Sequence, residues 1–193
     1  MSYKKELKEK ENLKKEDNKK RVFISIDIPE TIKEKINEIQ LMLPDFKGKL
    51  TEKENLHLTL KFLGEQNLET IEKIKEKLKE TEFNRFDCKI DDIGVFSEKY
   101  IRIIWLKIKG AEDLQKIIDE KISEVGINKE KRFMSHLTIA RVKNLKNKKE
   151  FLEKIRKIKI PELGFSVEEF KLKESVLKPE GPYYKTIRGF YLK

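Results

Sequence analysis

Residues 56–64, LHLTLKFLG, and residues 135–142, SHLTIARV, carry the same pattern and decide how this chain folds. Each stretch contains one of the two histidines of the 193-residue chain, His57 or His136. Because side chains along a strand alternate between its two faces, each histidine shares a face with the threonine two residues later. The apolar side chains between them anchor the opposite face in a core. Each stretch is therefore predicted to be a half-buried strand that presents an imidazole beside a hydroxyl group.

The sequence around these two strands repeats with the same period. The histidines are 79 residues apart (136 − 57 = 79), and a shift of 79 also carries Val22, in the run RVFISIDI, onto Ile101, in the run IRIIWLKIK. In each half the apolar residues follow the periods of a strand, a helix, a strand, a helix and a strand in turn. A single period that fits all of these elements indicates an internal duplication.

The duplication predicts an α+β fold with two lobes related by an approximate two-fold axis. Each lobe is expected to be a βαβαβ unit whose antiparallel sheet lines a central cleft and whose helices lie on the outside. The closing segment GPYYKTIRGFYLK, with a turn at Gly181-Pro182, is predicted to add a hairpin-like strand to one sheet. Trp105 lies in a strand that is apolar on both faces, and we expect it in the core.

The two His-Thr pairs suit a phosphodiester, because two pairs that face one another across a cleft leave room for a tetrahedral anion. Hydrolysis needs a base for the attacking water and an acid for the departing oxygen, on opposite sides of phosphorus. Two imidazoles that titrate near neutral pH can serve as both. Thr59 and Thr138 would donate hydrogen bonds to the non-bridging oxygens. The histidines have no carboxylate or cysteine ligands at a recognisable spacing, so no metal or other cofactor is expected.

From Arg21 to the C-terminus the sequence resembles the 2H phosphoesterases, and within them the RNA 2',3'-cyclic phosphodiesterases, also called 2'-5' RNA ligases or LigT-like proteins. The resemblance rests on RVFISIDIP, ENLHLTLKFLGE, the strand around Trp105, RFMSHLTIARV and GPYYKTIRGFYL. It implies that 2',3'-cyclic phosphate at an RNA end is opened to a 2'-phosphate, with His57 as general acid and His136 as general base. It also implies weak joining of RNA ends through a 2'-5' bond. The family usually has proline where this chain has Ser135.

Three further residues are candidate substrate ligands. Arg141 matches a family position where an arginine contacts the phosphate or stacks on the base. Because its offset from His136 is odd, a bulge or a strand end is needed to bring it to the cleft. Lys61, at an even offset from His57, is a candidate for the same cleft, although a solvated strand end fits it equally. Phe133 is a candidate for stacking on a base, with core packing as the alternative.

Length and composition indicate one bilobal domain over residues 21–193. Residues 1–20, MSYKKELKEKENLKKEDNKK, are expected to form a flexible arm or a frayed helix, with a basic arm that contacts RNA as the alternative. No apolar run is long enough to cross a bilayer, and the N-terminus lacks the apolar core of a secretion signal. We therefore expect a cytoplasmic protein with no membrane partner. We also expect a monomer.

The formal net charge of +10 favours anionic partners, here RNA with 2',3'-cyclic phosphate ends or small cyclic nucleotides. Lysine and glutamate mixed along helix surfaces fit a merely solvated surface as well. Cys88 is the only cysteine, so neither a disulfide nor a cysteine-ligated metal cluster forms within one chain. A competing hypothesis is a binding module that holds a nucleotide or an RNA end without chemistry.

Overall fold

The computed structural model describes residues 19–179 and 181–193. The predicted N-terminal arm lies outside these residues apart from Lys19 and Lys20, and Lys20 already opens the first strand. The described ranges contain the following elements in chain order: β1 (Lys20–Asp27), α1 (Glu30–Leu41), β2 (Lys47–Leu50), a 3-10 turn (Lys53–Asn55), β3 (His57–Gln66), α2 (Leu68–Lys79), β4 (Phe86–Val95), β5 (Ile103–Lys109), α3 (Glu112–Ser123), β6 (His136–Asn144), α4 (Lys148–Lys157), β7 (Leu163–Val167), β8 (Glu169–Lys178) and β9 (Gly181–Tyr191).

Two antiparallel sheets form the framework, and the predicted α+β class and duplicated lobes are confirmed. One sheet has the strand order β3-β1-β8-β9, and the other has the order β2-β6-β5-β4-β7. The closing segment forms β9, which pairs with β8 as the predicted hairpin. The turn was predicted at Gly181-Pro182, but both residues lie within β9, where they pair with Lys178 and Leu177. None of the helices in the described ranges is long and apolar enough to span a membrane.

The two halves exchange the strands that the sequence predicts as the third of each βαβαβ unit, β4 and β8. Strand β4 belongs to the first half of the sequence but pairs with β5 of the second, whereas β8 of the second half pairs with β1 of the first. The order of elements along the sequence did not reveal this exchange, because a periodic pattern reports which face of a strand is buried and not which strand it pairs with. Each sheet therefore contains strands from both halves of the sequence.

Helices α2 and α4 each begin at an asparagine whose side chain caps the first turn. The Asn67 side chain accepts a hydrogen bond from the Thr70 backbone N–H at 2.8 Å at the start of α2, and Asn147 accepts one from Glu150 at 3.2 Å at the start of α4. These caps satisfy backbone donors that have no partner within the helix. They are 80 residues apart (147 − 67 = 80), one more than the 79-residue period, so they occupy corresponding places in the two halves with a shift of one residue. Each helix then turns an apolar face to the core: Ile71, Ile74 and Leu78 in α2, and Phe151 and Ile155 in α4.

Both motif strands contain a β-bulge just after the threonine. In β3 the pairing with β1 steps from Thr59 to Lys61, and in β6 the pairing with β5 steps from Thr138 to Ala140. The extra residue reverses the alternation of side chains beyond it. As a consequence two consecutive residues of each strand are buried, and the next residue returns to the cleft side: Phe62 in β3 and Arg141 in β6.

Candidate active site

A pocket of about 300 Å³ lies between the two sheets where β3 and β6 contact each other. The histidine and threonine side chains of the two matching tetrads, residues 57–60 and 136–139, line it, because the predicted alternation holds over the first three residues of each strand. The structure thus brings five of the candidate residues to one pocket: His57, Thr59, His136, Thr138 and Arg141.

Both imidazoles are held in the same way by the backbone. The Nδ1 atom of His57 lies 2.8 Å from the carbonyl oxygen of Asn55, and that of His136 lies 2.7 Å from the carbonyl oxygen of Met134. Because a carbonyl only accepts hydrogen bonds, each Nδ1 carries a proton and donates it. The Nε2 atom of each ring is therefore the one that exchanges a proton with a ligand.

The charge state of His57 follows from its surroundings. Burial lowers its pKa to about 4, and the nearby charge of Lys173 acts in the same direction. The hydrogen bond to Asn55 and the charge of Asp27 act in the opposite direction but do not outweigh burial. His57 is therefore neutral near pH 7, with a lone pair on Nε2, unless a bound anion supplies compensating charge.

Asp27 is the cross-strand neighbour of His57 and carries a charge. Burial alone would raise the pKa of its carboxyl group, but hydrogen bonds from Lys173 and Lys171 outweigh burial and hold the pKa below its usual range. A carboxylate at this position favours the protonated form of His57. Asp27 thus partly offsets the effect of Lys173 on the same ring.

Aromatic side chains surround His57. Its ring lies 5.1 Å from the centroid of Phe23 and 4.9 Å from that of Tyr184, which meets it edge-on. Burial raises the pKa of the Tyr184 hydroxyl, so that it stays a donor near neutral pH. The sequence interpretation assigned Tyr184 no role, although the alternating aromatic residues of the closing segment were a visible signal. Both aromatic side chains line the pocket.

Phe62 is a second pocket residue that the sequence interpretation missed. It is 66% exposed although it is large and apolar, and it lines the pocket. A shift of 79 residues carries Phe62 onto Arg141 (62 + 79 = 141), so the period already pointed to this position. The two bulges turn this equivalent pair of residues to the pocket, an aromatic ring from one lobe and a guanidinium group from the other.

His136 has aromatic neighbours of its own. The ring of Phe96 meets it edge-on at 4.9 Å and lies 5.9 Å from the centroid of Trp105. Trp105 is half-buried on the cleft face beside Thr138, so its predicted place in the core was wrong. Gly94 makes room for the indole, because a Cβ atom there would lie 2.6 Å from it.

Two candidate residues lie elsewhere. Because of the bulge in β3, Lys61 points into the core, where its ammonium group bonds to the carboxylate of Asp119 and, at 2.9 Å, to the carbonyl oxygen of Asn128. Phe133 is partly buried and packs against the hydrophobic core, and it is not among the residues that line the pocket. Their predicted contacts with substrate are therefore not supported by their positions.

The donors gathered in the pocket suit an anion. The two threonine hydroxyl groups and the guanidinium group of Arg141 can donate hydrogen bonds to it, and each imidazole can do so once its Nε2 atom is protonated. The lining also includes the Glu52 carboxylate, which pairs with Lys49. Over residues 19–179 and 181–193, no group of three or more His, Cys, Asp and Glu side chains is arranged to hold a metal ion.

Comparisons with known proteins agree with this architecture. A family model described as LigT like phosphoesterase matches residues 26–105 and 108–184. A protein of Methanocaldococcus jannaschii named RNA 2',3'-cyclic phosphodiesterase is 42% identical over 173 residues, which are 87% of this chain and 98% of the relative. A protein of Archaeoglobus fulgidus with the same name is 35% identical over 176 residues, covering 88% and 99% of the two chains.

Solved structures show the same fold. Escherichia coli LigT complexed with 3'-AMP superposes with a TM-score of 0.75 at 24% identity, over 91% of this chain and 99% of that one. A Thermus thermophilus protein superposes with a TM-score of 0.74 at 26% identity, over 89% and 97% of the two chains.

Proposed function

This chain belongs to the LigT-like phosphoesterase family, and on that premise we propose that it opens 2',3'-cyclic phosphate at RNA ends to a 2'-phosphomonoester by two-histidine catalysis without a metal ion. The observation that carries the proposal is that both His-Thr pairs line one pocket. The names of the relatives support the RNA substrate. The pocket volume of about 300 Å³ suits a single terminal nucleotide.

The reaction divides the two imidazoles between the two sides of phosphorus. His136 takes a proton from water at Nε2 while the water oxygen forms a bond to phosphorus. The bond from phosphorus to the ribose 3'-oxygen breaks, and His57 gives that oxygen a proton from its own Nε2. The product keeps its phosphate on the 2'-oxygen. The two histidines end in exchanged protonation states and return to the starting state through solvent.

The remaining pocket donors act on the non-bridging oxygens, where negative charge grows in the transition state. Thr59 and Thr138 stand two residues from the histidines on the same strand faces, so their hydroxyl groups reach the same phosphoryl group. Arg141, which the bulge in β6 turns to the pocket, adds a permanent positive charge. Donors that are already oriented stabilise this charge without reorganising during the reaction.

The general-acid role requires His57 to gain a proton when substrate binds. A phosphate monoester close to the ring is expected to raise its pKa from about 4 to between about 5 and 7, because opposite charge favours the imidazolium form. NMR titration of the two histidines with and without saturating uridine 2'-monophosphate measures this change, with chloride at matched ionic strength as the control. If the pKa of His57 stays near 4 in the complex, the acid and base assignments must be exchanged.

Phe62 is proposed to stack on the terminal base in place of Phe133. Loss of stacking on one aromatic ring costs about 1–3 kcal/mol, so Phe62→Ala is expected to weaken binding of uridine 2'-monophosphate about tenfold. Phe62→Tyr keeps the ring and is expected to bind like the original protein. Tyr191→Ala, at an 81% exposed position outside the pocket, is the matched control. Equal affinities for Phe62→Ala and Tyr191→Ala, measured by calorimetry, would contradict this assignment.

The proposed function is tested by incubation with a 2',3'-cyclic mononucleotide in the presence of a chelator. We expect turnover, with the 2'-monophosphate as the product. Recovery of unaltered cyclic nucleotide despite tight binding would favour the binding module, and loss of turnover on chelation alone would contradict metal independence. Supplying a second RNA with a 5'-hydroxyl group tests 2'-5' joining, for which we expect a minor yield because water competes at far higher concentration.

A further inference from the structure

The first two residues of β9, Gly181 and Pro182, are called the hairpin tip, and they rest on the turn that precedes His57. The Asn55 side-chain amide donates one hydrogen bond to the carbonyl oxygen of Pro182 at 3.1 Å and another to the carboxylate of Glu52 at 3.2 Å. Both N–H groups of the amide are thereby used within the protein. The backbone carbonyl of the same residue accepts the hydrogen bond from Nδ1 of His57. One residue therefore connects the hairpin tip to the imidazole.

Gly181, the residue before Pro182, lies against Lys49 and Glu52. Gly181 has a φ of +144°, and a Cβ atom there would lie 3.2 Å from the ammonium nitrogen of Lys49. Lys49 in turn pairs with Glu52 and holds the pKa of that carboxyl group below its usual range. Glu52 is consequently a charged acceptor, which strengthens the hydrogen bond that it receives from Asn55.

The equivalent position in the second lobe is occupied by a residue that cannot make the same side-chain contacts. A shift of 79 residues carries Asn55 onto Met134 (55 + 79 = 134), whose carbonyl oxygen holds His136 in the same way. A methionine side chain offers no N–H donor. The backbone hydrogen bond is thus common to both positions, and the side-chain link to the hairpin is made by Asn55 and not by Met134.

We propose that Asn55 is a positioning residue that fixes the His57 imidazole by anchoring the preceding turn to the hairpin tip. The inference rests on the proposed function, since it concerns the residue that acts there as general acid. Strand β9 also supplies part of the pocket wall, including Tyr184, which contacts the His57 ring edge-on. The hairpin therefore holds His57 from two sides, through the ring of Tyr184 and through the amide of Asn55. Displacement of an acid by about 1 Å can cost up to about 100-fold in rate.

Two substitutions at this position, and one at its equivalent, test the proposal. Asn55→Ala removes both hydrogen bonds, and we expect kcat for a 2',3'-cyclic mononucleotide to fall at least about tenfold. Asn55→Asp places a carboxylate against the Glu52 carboxylate and the Pro182 carbonyl oxygen, so a larger loss is expected at neutral pH. Protonation of the new carboxyl group restores one donor, and the activity relative to the original protein should rise as pH falls. Met134→Ala is the matched control, with a loss at least about fivefold smaller than that of Asn55→Ala.

NMR separates a positioning role from a general loss of stability. The chain has two histidines, so each Nδ1–H proton can be followed individually. In Asn55→Ala the His57 signal is expected to broaden or disappear through faster exchange, while the His136 signal stays sharp. Unchanged His57 signals with unchanged kcat would overturn the proposal, and so would equal losses in Asn55→Ala and Met134→Ala. Absence of turnover in the original protein would instead overturn the proposed function, leaving the NMR result as an independent test of the anchor.

Discussion

Replacing either histidine with alanine is expected to lower kcat/KM for a 2',3'-cyclic nucleotide by about 10²–10⁴, because each removes one of the two proton transfers at phosphorus. The His57→Ala, His136→Ala double variant should be hardly slower than the single variants, since the two groups act in one step and their effects are not additive. Steady-state kinetics on the three variants measures both expectations. The pocket remains lined by Thr59, Thr138 and Arg141, so nucleotide binding should persist.

Tyr191→Ala again serves as the control for handling and purity, because that side chain lies outside the pocket. Full turnover by either histidine variant would remove the acid and base assignments. A double variant that loses the product of the two single effects would indicate that the two imidazoles contribute independently, which contradicts their action as one unit at phosphorus.

Replacing Lys61 with alanine is expected to lower the free energy of unfolding by about 3–5 kcal/mol, because a buried carboxylate is left without its partner. The Lys61 side chain is 1% exposed and that of Asp119 is 11% exposed. Asp119 also accepts hydrogen bonds from the backbone N–H of Glu130, in the segment that leads toward His136. The ion pair therefore connects β3, the strand of His57, to the segment that precedes His136.

Urea denaturation measures this loss, and two comparisons identify its cause. Lys61→Met, Asp119→Leu removes both charges and should recover most of the stability, since an apolar pair of similar volume avoids an unpaired buried charge. Lys73→Ala breaks an ion pair whose side chains are 62% and 77% exposed, and it should cost less than about 1 kcal/mol. If Lys61→Ala costs no more than Lys73→Ala, the buried pair does not stabilise this fold.

The sequence was sufficient to predict the duplication, the half-buried motif strands and the meeting of both histidines at one cleft. These features depend on local alternation and on the 79-residue period, both of which can be read along the chain. His57 and His136 emerged because they begin matching tetrads and the chain has no other histidine. Arg141 reached the pocket through the bulge that its odd offset required.

The features that were missed depend on pairing between distant strands. On an ideal strand Lys61 would face the cleft and Phe62 would face the core. The extra residue in β3 reverses the two orientations, so Lys61 is buried and Phe62 lines the pocket. Trp105 was assigned to the core because its strand is apolar on both faces, but the space above Gly94 on the neighbouring strand lets the indole lie along the cleft. The exchange of β4 and β8 likewise depends on which strands pair, which no periodicity describes.

The central claim is that both imidazoles act on one phosphorus from opposite sides. A crystal structure of the protein with a bound nucleoside 2'-monophosphate tests it most directly. We predict that the Nε2 atoms of His57 and His136 each lie within about 2.6–3.2 Å of a different oxygen of the same phosphoryl group. A phosphate bound to one histidine, with the Nε2 atom of the other turned away or beyond hydrogen-bonding reach, would contradict the claim.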